Sequence, residues 1–357
     1  MKYRLRGWND AVSLYLINAA CFLFFVLLLA LPAQAVRRQF PPHRVQPDCQ
    51  VQSYHTGHSD IQSPTRYGLL MMGGGTDVDQ AFRWMIERSG GGDLVVLRSA
   101  GEDGYNDYLY RELGGLNSVT TFVIDSYAKA LCPDVAKAIR QAEAIFFAGG
   151  DQSEYYSYWK DTPVHQAIEY LARTKKVPLG GTSAGLAILG QVIYSAEEGS
   201  IQSPDALADP FHPDLTLRAD FLNLPLMRGV LTDTHFAERD RQGRFVTFLA
   251  RTIHHQLTTV TALKGIAIDE RTAALVDEQG LAQIVGAGSV WFFKPQYPPM
   301  TCVPHQPLHW NLPQAVHVQK LSGVSGQNVF DITHWKPISG QPESFYYSVD
   351  DGQLNIR

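Results

Sequence analysis

The sequence contains few cysteines and few charged residues. Four cysteines occur among 357 residues, and no two of them have the spacing of zinc ligands, which argues against a zinc site built on cysteines. Charged residues make up 18% of the chain and the formal net charge is -5, so a general nucleic-acid binder, which needs a basic surface, is not expected. Hydrophobic residues make up 45%, which predicts a folded chain of one large domain or two ordinary ones.

The strongly apolar core of the N-terminus is short for an ordinary membrane span. Lys2, Arg4 and Arg6 precede an apolar run from Ala19 to Leu31, which is short against the roughly 20 residues of a spanning helix. The run ends in Pro-Ala-Gln-Ala, a pattern that predicts signal-peptide cleavage after Ala35. An uncleaved anchor is the alternative. With cleavage, we expect a periplasmic or extracellular protein that keeps no stable membrane span.

Cleavage after Ala35 removes Cys21 and leaves three cysteines, an odd number in a compartment that permits disulfides. Cys49 and Cys302 flank the remaining chain. A bond between these two that leaves Cys132 buried is one pairing compatible with this order, and the sequence does not decide among the pairings.

Composition divides the chain into four parts. After the signal peptide of residues 1–35, residues 36–65 are rich in Pro, Gln, His and Ser, which predicts an irregular arm. Residues 66–294 alternate short apolar runs with helical patterns, which predicts an α/β domain with a mostly parallel sheet. Residues 295–357 predict a small β-rich C-terminal extension. A polar loop from Gly199 to Pro213 is expected to run over the surface.

Three glycine-bearing loops each follow a predicted strand. They begin at Gly73, Gly149 and Gly180. Ligands of such sheets bind at the carboxyl ends of parallel strands. We therefore expect the three loops to lie along one edge of the sheet and to hold the functional site.

The segment from Gly181 to Gly185 fits G-x-S-x-G between a predicted strand and a predicted helix, which is the context of a nucleophile elbow. The tight turn lifts the hydroxyl of Ser183 out of the sheet, and the backbone N–H groups at the helix N-terminus suit an oxyanion. A glycine-rich packing turn is the alternative without chemistry. The pattern predicts Ser183 as the nucleophile of a serine hydrolase.

An activated serine needs a base and a carboxylate that orients the base. Among twelve histidines, His235 stands out because an apolar stretch leads into its segment, Leu-Thr-Asp-Thr-His-Phe. Asp269 and Glu270, which follow a predicted strand, are the candidate acids. Asp233 shares a face with His235 if the segment is extended, and it is a candidate to contact the substrate instead.

Three arginines come shortly after His235 in the chain. They are Arg239, Arg241 and Arg244. A solvated helix face is the ordinary interpretation of such a run. The alternative is that they bind a substrate carboxylate through bidentate contacts.

Four ordered motifs together resemble the cyanophycinases, serine peptidases related to bacterial aspartyl dipeptidases. The motifs are Gly-Gly-Asp-Gln, Gly-Thr-Ser-Ala-Gly, Asp-x-His-Phe with spaced arginines, and Gly-Ile-x-Ile-Asp-Glu-x-Thr-Ala, within residues 67–293. The resemblance implies a flavodoxin-like, class I glutamine amidotransferase-like α/β fold. It also implies hydrolysis of the β-aspartyl-arginine links of cyanophycin, a poly-aspartate with arginine on each side chain, to β-Asp-Arg dipeptides.

By that resemblance Ser183 is the nucleophile, His235 the base and Glu270 the orienting acid. Gly150 and Ala184 would supply the N–H groups of the oxyanion hole. The positions of the family's substrate pocket correspond to Gln152, Asp233, Arg239, Arg241 and Arg244. The resemblance implies neither a metal nor an organic cofactor.

The chain departs from the family in two places that bear on the substrate. Cyanophycinases usually have glutamine between the aspartate and the histidine, where this chain has Thr234, and the loop of residues 197–213 is longer than the common core. An isoaspartyl or aspartyl dipeptidase acting on short peptides is therefore a second interpretation. A non-catalytic periplasmic binding protein is the hypothesis from another class. The chain order of serine, histidine, acid argues against a conventional α/β-hydrolase, and the sequence leaves a homodimer open.

Overall fold

A computed structural model describes residues 45–357, so the predicted signal peptide and the first part of the arm lie outside the described residues. The strands in chain order are β1 (Gln52–Gly57), β2 (Gly68–Met72), β3 (Asp93–Arg98), β4 (Ser118–Val123), β5 (Ala144–Phe147), β6 (Pro178–Thr182), β7 (Ile193–Tyr194), β8 (Leu217–Arg218), β9 (Val230–Asp233), β10 (Lys264–Ile268), β11 (Thr272–Asp277), β12 (Leu281–Gly286), β13 (Ser289–Pro295), β14 (Val316–Ser322), β15 (Val329–Asp331), β16 (Lys336–Ser339), β17 (Glu343–Asp350) and β18 (Gln353–Ile356). The α-helices are Asp79–Arg88, Tyr127–Ala130, Pro133–Gln141, Gln152–Trp159, Pro163–Tyr170, Ala184–Ala187, Ser203–Ala208 and Gln242–His254, with π-helical turns at Tyr108–Leu113 and Leu171–Lys175.

A ten-stranded sheet in the order β1-β4-β3-β5-β6-β2-β11-β12-β15-β16 forms the centre of the domain. The five strands from β4 to β2 in this order are parallel, and the others are antiparallel. Strands buried on both faces suit a parallel sheet covered by helices. Leu69 and Met71 of β2 pack into one apolar core, and Leu70 and Met72 pack into another. The prediction of a mostly parallel α/β fold is confirmed.

A six-stranded sheet in the order β18-β17-β14-β13-β10-β9 adjoins the first. Only β9 and β10 are parallel in it, with Asp233 opposite Ala267. The prediction of a β-rich C-terminal extension is confirmed. The strands of this extension widen both sheets. β15 and β16 join the ten-stranded sheet, and β14, β17 and β18 join the six-stranded one.

The prediction that residues 36–65 form an irregular arm is wrong for residues 52–57. These residues form β1, which pairs antiparallel with β4 at the edge of the ten-stranded sheet. This pairing also explains the disulfide. Cys49 precedes β1 and Cys132 lies just before the helix Pro133–Gln141, so the β1–β4 pairing brings the two together, with their Cα atoms 5.2 Å apart. A Cys49–Cys302 pairing is wrong, and Cys302 is the buried free thiol. Within residues 45–357, no helix has the length and hydropathy of a membrane span.

Candidate active site

The G-x-S-x-G segment forms a sharp turn at the carboxyl end of β6. Ser183 has φ 52° and ψ -118° and precedes the short helix Ala184–Ala187. A positive φ is strained for a non-glycine residue and is typical of a serine held at an elbow. A Cβ atom on Gly181 would lie 2.3 Å from the carbonyl oxygen of Gly185, and one on Gly185 would lie 2.1 Å from that of Phe147. Both glycines are therefore required by close backbone packing.

The end of β2 connects this turn to the second sheet. The Ser183 N–H donates to the carbonyl of Met72, and the His235 N–H donates to the carbonyl of Gly73, at 3.2 and 2.8 Å. His235 follows β9 and Glu270 follows β10. Because β9 and β10 are parallel, both residues leave the six-stranded sheet at the same edge. The three side chains meet where the carboxyl ends of two sheets adjoin.

Ser183, His235 and Glu270 form a continuous hydrogen-bonded chain. Ser183 Oγ lies 2.6 Å from His235 Nε2, and His235 Nδ1 lies 2.6 Å from Glu270 Oε1. A carboxylate can only accept, so Nδ1 carries the proton and Nε2 is left to accept from the serine hydroxyl. The imidazole is 7% exposed and the carboxylate is 27% exposed. This arrangement can remove the proton of the serine as the oxygen attacks.

The surroundings of the triad shift its two titrating groups in the direction that general-base chemistry needs. Burial lowers the pKa of His235, and the nearby Arg239 and Arg241 lower it further, against the raising effect of Glu270. The hydrogen bond from His235 lowers the pKa of Glu270. The imidazole is therefore neutral and the carboxylate ionised at neutral pH.

Asp269, the other candidate acid, does not contact His235. Its carboxylate accepts hydrogen bonds from the N–H groups of Ala237 and Ser289 and from Nε1 of Trp291, at 3.1, 3.0 and 2.9 Å. Burial raises its pKa against these bonds. Asp269 thus holds the turns after β9 and β10 together, and Glu270 is left to reach the histidine.

The two predicted oxyanion donors lie beside the serine. Ala184 is the first residue of the helix after Ser183, and a Cβ atom on Gly149 would lie 3.5 Å from Cβ of Ser183. The loop that contains Gly150 is held by Tyr155, whose hydroxyl donates to the carbonyl of Ala148 at 2.9 Å. Among residues 45–357, neither the N–H of Gly150 nor that of Ala184 has a hydrogen-bond acceptor. Both are available to an oxyanion.

A pocket of about 290 Å³ opens beside the triad, and every predicted substrate residue lines it. The lining consists of Gly150, Asp151, Gln152, Ser183, Ala184, Ala187, Tyr194, Ala196, Gly199, Ser200, Thr232, Asp233, Thr234, His235, Arg239, Arg241 and Arg244. Three arginines face two aspartates in this lining, which leaves one net positive charge when His235 is neutral. The pocket therefore favours a ligand that carries a carboxylate.

The three arginines differ in their hydrogen-bond partners and in their exposure. Arg244 is buried and makes a bidentate ion pair with Asp233, with Nε and Nη2 at 2.9 and 2.5 Å from the carboxylate oxygens. Asp233 therefore orients Arg244 and is not a free anion for a cationic ligand. Nη1 of Arg241 donates to the carbonyl and to the hydroxyl of Thr234, at 2.8 and 3.1 Å. Arg239 is exposed at the pocket.

The loop from Gly199 to Pro213 contributes Gly199 and Ser200 to the pocket lining, and residues 203–208 in it form a helix, so it shapes the site and does not only run over the surface. The glycines after β2 were predicted at this edge, but not as a support for the triad. A Cβ atom on Gly74 would lie 2.3 Å from Cε1 of His235, and one on Gly75 would lie 3.0 Å from Oε2 of Glu270. Three successive glycines after a strand were the only signal in the sequence.

Gly74→Ala is expected to lower kcat by roughly 10- to 100-fold, because the new methyl group displaces the imidazole from its hydrogen bond with Ser183. Gly326→Ala is the matched control, since Gly326 also has a positive φ but a Cβ atom there would meet nothing within 4 Å beyond its chain neighbours. Steady-state kinetics of both variants measure the effect. Equal kcat values for the two would show that the close approach of Gly74 does not position the histidine.

The fold and the triad geometry together define a serine hydrolase of α/β type. Residues 102–284 match the model of Peptidase family S51. The chain belongs to this family and is a serine-type peptidase. The resemblance to the cyanophycinases is confirmed by curated relatives that carry that name. The cyanophycinase of Synechococcus elongatus is 27% identical over 278 residues, which cover 74% of this chain and 78% of the relative.

A second curated relative and a solved structure are also similar to the chain. The cyanophycinase of Trichormus variabilis is 28% identical over 268 residues, covering 72% of this chain and 83% of the relative. The crystal structure of a peptidase from an acI-B1 Actinobacterium aligns with a TM-score of 0.47 at 19% identity, covering 64% of this chain and 91% of that one.

Proposed function

We propose that the protein is an exported exopeptidase that acts on cyanophycin and releases β-Asp-Arg dipeptides. The β-aspartyl-arginine link stays intact in this product, so the bond that is hydrolysed is the backbone bond between neighbouring aspartates. The observation that carries this proposal is the position of Ser183, in hydrogen-bond contact with His235, at a pocket lined by three arginines. The names of the curated relatives support the polymer as the substrate class. Peptides with a β-aspartyl link and free carboxylates fit the positive lining.

The proposed reaction proceeds through an acyl-enzyme. Nε2 of His235 takes the proton of Ser183 as Oγ attacks the carbonyl carbon of the scissile bond, and Glu270 stabilises the imidazolium that forms. The N–H groups of Gly150 and Ala184 bind the oxyanion. The imidazolium then gives its proton to the leaving amine, and water attacks the ester with His235 as the base again.

The size of the pocket supports release of one terminal unit at a time. Its volume of about 290 Å³ is close to the lower end of the roughly 300–1,000 Å³ of ligand pockets. Such a pocket has room for a dipeptide-sized group at one end of the polymer. We therefore infer cleavage at a chain end.

The test incubates the purified protein with insoluble cyanophycin and, in parallel, with short β-aspartyl dipeptides. The release of soluble β-Asp-Arg from the polymer is the expected result. If only the dipeptides are cleaved, the substrate is a short β-aspartyl peptide and not the polymer. Binding of either without turnover would favour the hypothesis of a non-catalytic binding protein.

Export is supported by the Cys49–Cys132 disulfide, because such bonds persist mainly in oxidising compartments. The predicted signal peptide points the same way. Sequencing of the N-terminus of protein recovered from the periplasm or medium is expected to begin at Val36. Protein retained in the cytoplasm with an intact N-terminus would contradict export.

We expect the activity to fall on the acid side of its pH profile, at a pH below the 6.5 of an ordinary histidine. The histidine must be neutral to act as the base, and burial together with Arg239 and Arg241 lowers the pKa of His235 from its usual value. The rate is therefore lost only when the pH falls below this lowered pKa. A profile of kcat/KM against pH measures this acid limb, because it reports the pKa of the histidine in the free enzyme.

Arg239→Gln should move that limb to higher pH, because one of the charges that lower the pKa of His235 is removed. Arg228→Gln, at an exposed arginine outside the pocket lining, is the control and should leave the profile unchanged. A wild-type limb at or above pH 6.5, or a shift to lower pH in Arg239→Gln, would contradict the electrostatic account.

A further inference from the structure

Part of the pocket lining belongs neither to the triad nor to the arginines. This pocket wall, residues 194–201, contributes Tyr194, Ala196, Gly199 and Ser200 to the lining. Tyr194 ends the short strand β7 and is 2% exposed. Its side chain therefore lies in the interior, where its polar atom must be satisfied by the protein.

The hydroxyl of Tyr194 forms hydrogen bonds with three backbone groups of the loop that follows β7. It accepts from the N–H of Ile201 at 2.9 Å, and it lies 2.8 and 3.0 Å from the carbonyl oxygens of Gly199 and Asp214. One proton serves both carbonyl acceptors. Burial raises the pKa of Tyr194, so the hydroxyl keeps that proton. A single buried oxygen thus joins separate points of the loop that supplies the pocket wall.

The ring of the same tyrosine faces Arg244. The guanidinium carbon lies 5.2 Å from the centre of the Tyr194 ring, within the range of a cation–π contact. Phe248 stacks on Tyr194 with 4.6 Å between ring centres and also faces the guanidinium, at 5.5 Å. Nη1 of Arg244 donates to the carbonyl of Ile201 at 3.2 Å. The arginine and the wall are therefore fixed to each other as well as to Tyr194.

The ion pair with Asp233 leaves Arg244 with capacity for a ligand. A guanidinium has five N–H donors, and the bonds to Asp233 and to Ile201 use one each on Nε, Nη2 and Nη1. Within the described part of the chain, one N–H on each Nη atom has no acceptor. A carboxylate in the pocket can accept from these groups only if the guanidinium keeps its orientation.

We propose that Tyr194 is a positioning residue that fixes both the pocket wall and the guanidinium of Arg244, and that it thereby sets how tightly the substrate binds. This inference rests on the proposed function, because it takes Arg244 as a ligand of the substrate carboxylate. Tyr194 does not contact Ser183, His235 or Glu270 through a hydrogen bond. Its effect is therefore on binding and not on the chemistry of the triad.

Tyr194→Phe tests the inference, because it removes one oxygen and keeps the ring that packs on Phe248. KM for the β-aspartyl substrate is expected to rise about tenfold while kcat stays within about twofold of the wild type. The amide of Ile201, which loses its acceptor, is expected to exchange its hydrogen faster. Thermal unfolding of the variant establishes that folded protein is compared.

Tyr156→Phe is the matched control, since the Tyr156 hydroxyl bonds to Asp220, outside the pocket lining. It should leave KM, kcat and the exchange of Ile201 unchanged. The inference is overturned if Tyr194→Phe leaves KM and the exchange unchanged, or if kcat falls while KM stays constant. A wild-type protein that cleaves no β-aspartyl substrate overturns the proposed function and the substrate part of this inference, whereas hydrogen exchange, which needs no substrate, still decides whether Tyr194 holds the wall.

Discussion

Ser183→Ala is expected to lower kcat/KM on any cleaved substrate by roughly 10³- to 10⁶-fold, because the triad acts as a unit that fails without its nucleophile. The hydroxyl of Ser183 has one hydrogen-bond partner within residues 45–357, which is Nε2 of His235. Its removal should therefore leave the fold intact. Release of soluble product from substrate measures the effect, and thermal unfolding of the variant measures the fold.

Ser339→Ala is the control for this variant, because Ser339 is exposed and bonds only to the carbonyl of Gln327. Substrate should still bind to Ser183→Ala, since the arginines of the pocket remain. A variant that retains a tenth of the wild-type rate would show that Ser183 is not the nucleophile. Turnover that is absent in both the wild type and the variant, with binding retained, would indicate a binding protein.

Glu270→Gln has the second largest expected effect, a fall of roughly 10²- to 10⁴-fold in kcat. The carboxylate at 2.6 Å from Nδ1 of His235 holds the imidazole in the tautomer that leaves Nε2 as an acceptor, and it stabilises the imidazolium. An amide can present an N–H to the same nitrogen, which favours the wrong tautomer. Steady-state kinetics measure the loss.

Asp269→Asn is the matched variant, one residue away. It is expected to lose far less kcat than Glu270→Gln and to lower the free energy of unfolding by about 1–3 kcal/mol, since an amide cannot accept all three hydrogen bonds of the buried carboxylate. Denaturant unfolding measures this cost. If Asp269→Asn instead lost more activity than Glu270→Gln, the orienting acid would have to be reassigned.

Several parts of the fold and site could be predicted because they depend on neighbouring residues. The alternation of apolar runs with helical patterns predicted the parallel sheet, since β2, β3 and β5 are runs of mostly apolar residues that the fold buries. The G-x-S-x-G segment predicted the turn at Ser183, because the two glycines allow the backbone contacts that the turn requires. Both signals are complete within a few residues of the chain.

Other parts could not be predicted from local patterns. The disulfide of Cys49 follows from the pairing of β1 with β4, and no composition signal marked β1 as a strand. The choice between Asp269 and Glu270 depends on which carboxylate reaches the imidazole of His235, since both contact the segment that follows β9. The ion pair between Arg244 and Asp233 depends on how the helix Gln242–His254 packs against the end of β9.

By itself, the sequence determined the type of sheet and the elbow at Ser183, and the resemblance to the cyanophycinases named His235 and Glu270 as its partners. Only the tertiary structure shows that the three side chains meet. Ser183 and His235 are 52 residues apart, and His235 and Glu270 are 35 apart, on loops that follow strands of two different sheets. Contacts at such separations are set by the register of β9 against β10 and by the glycine loop after β2, which joins the two sheets. No pattern within one segment contains that information.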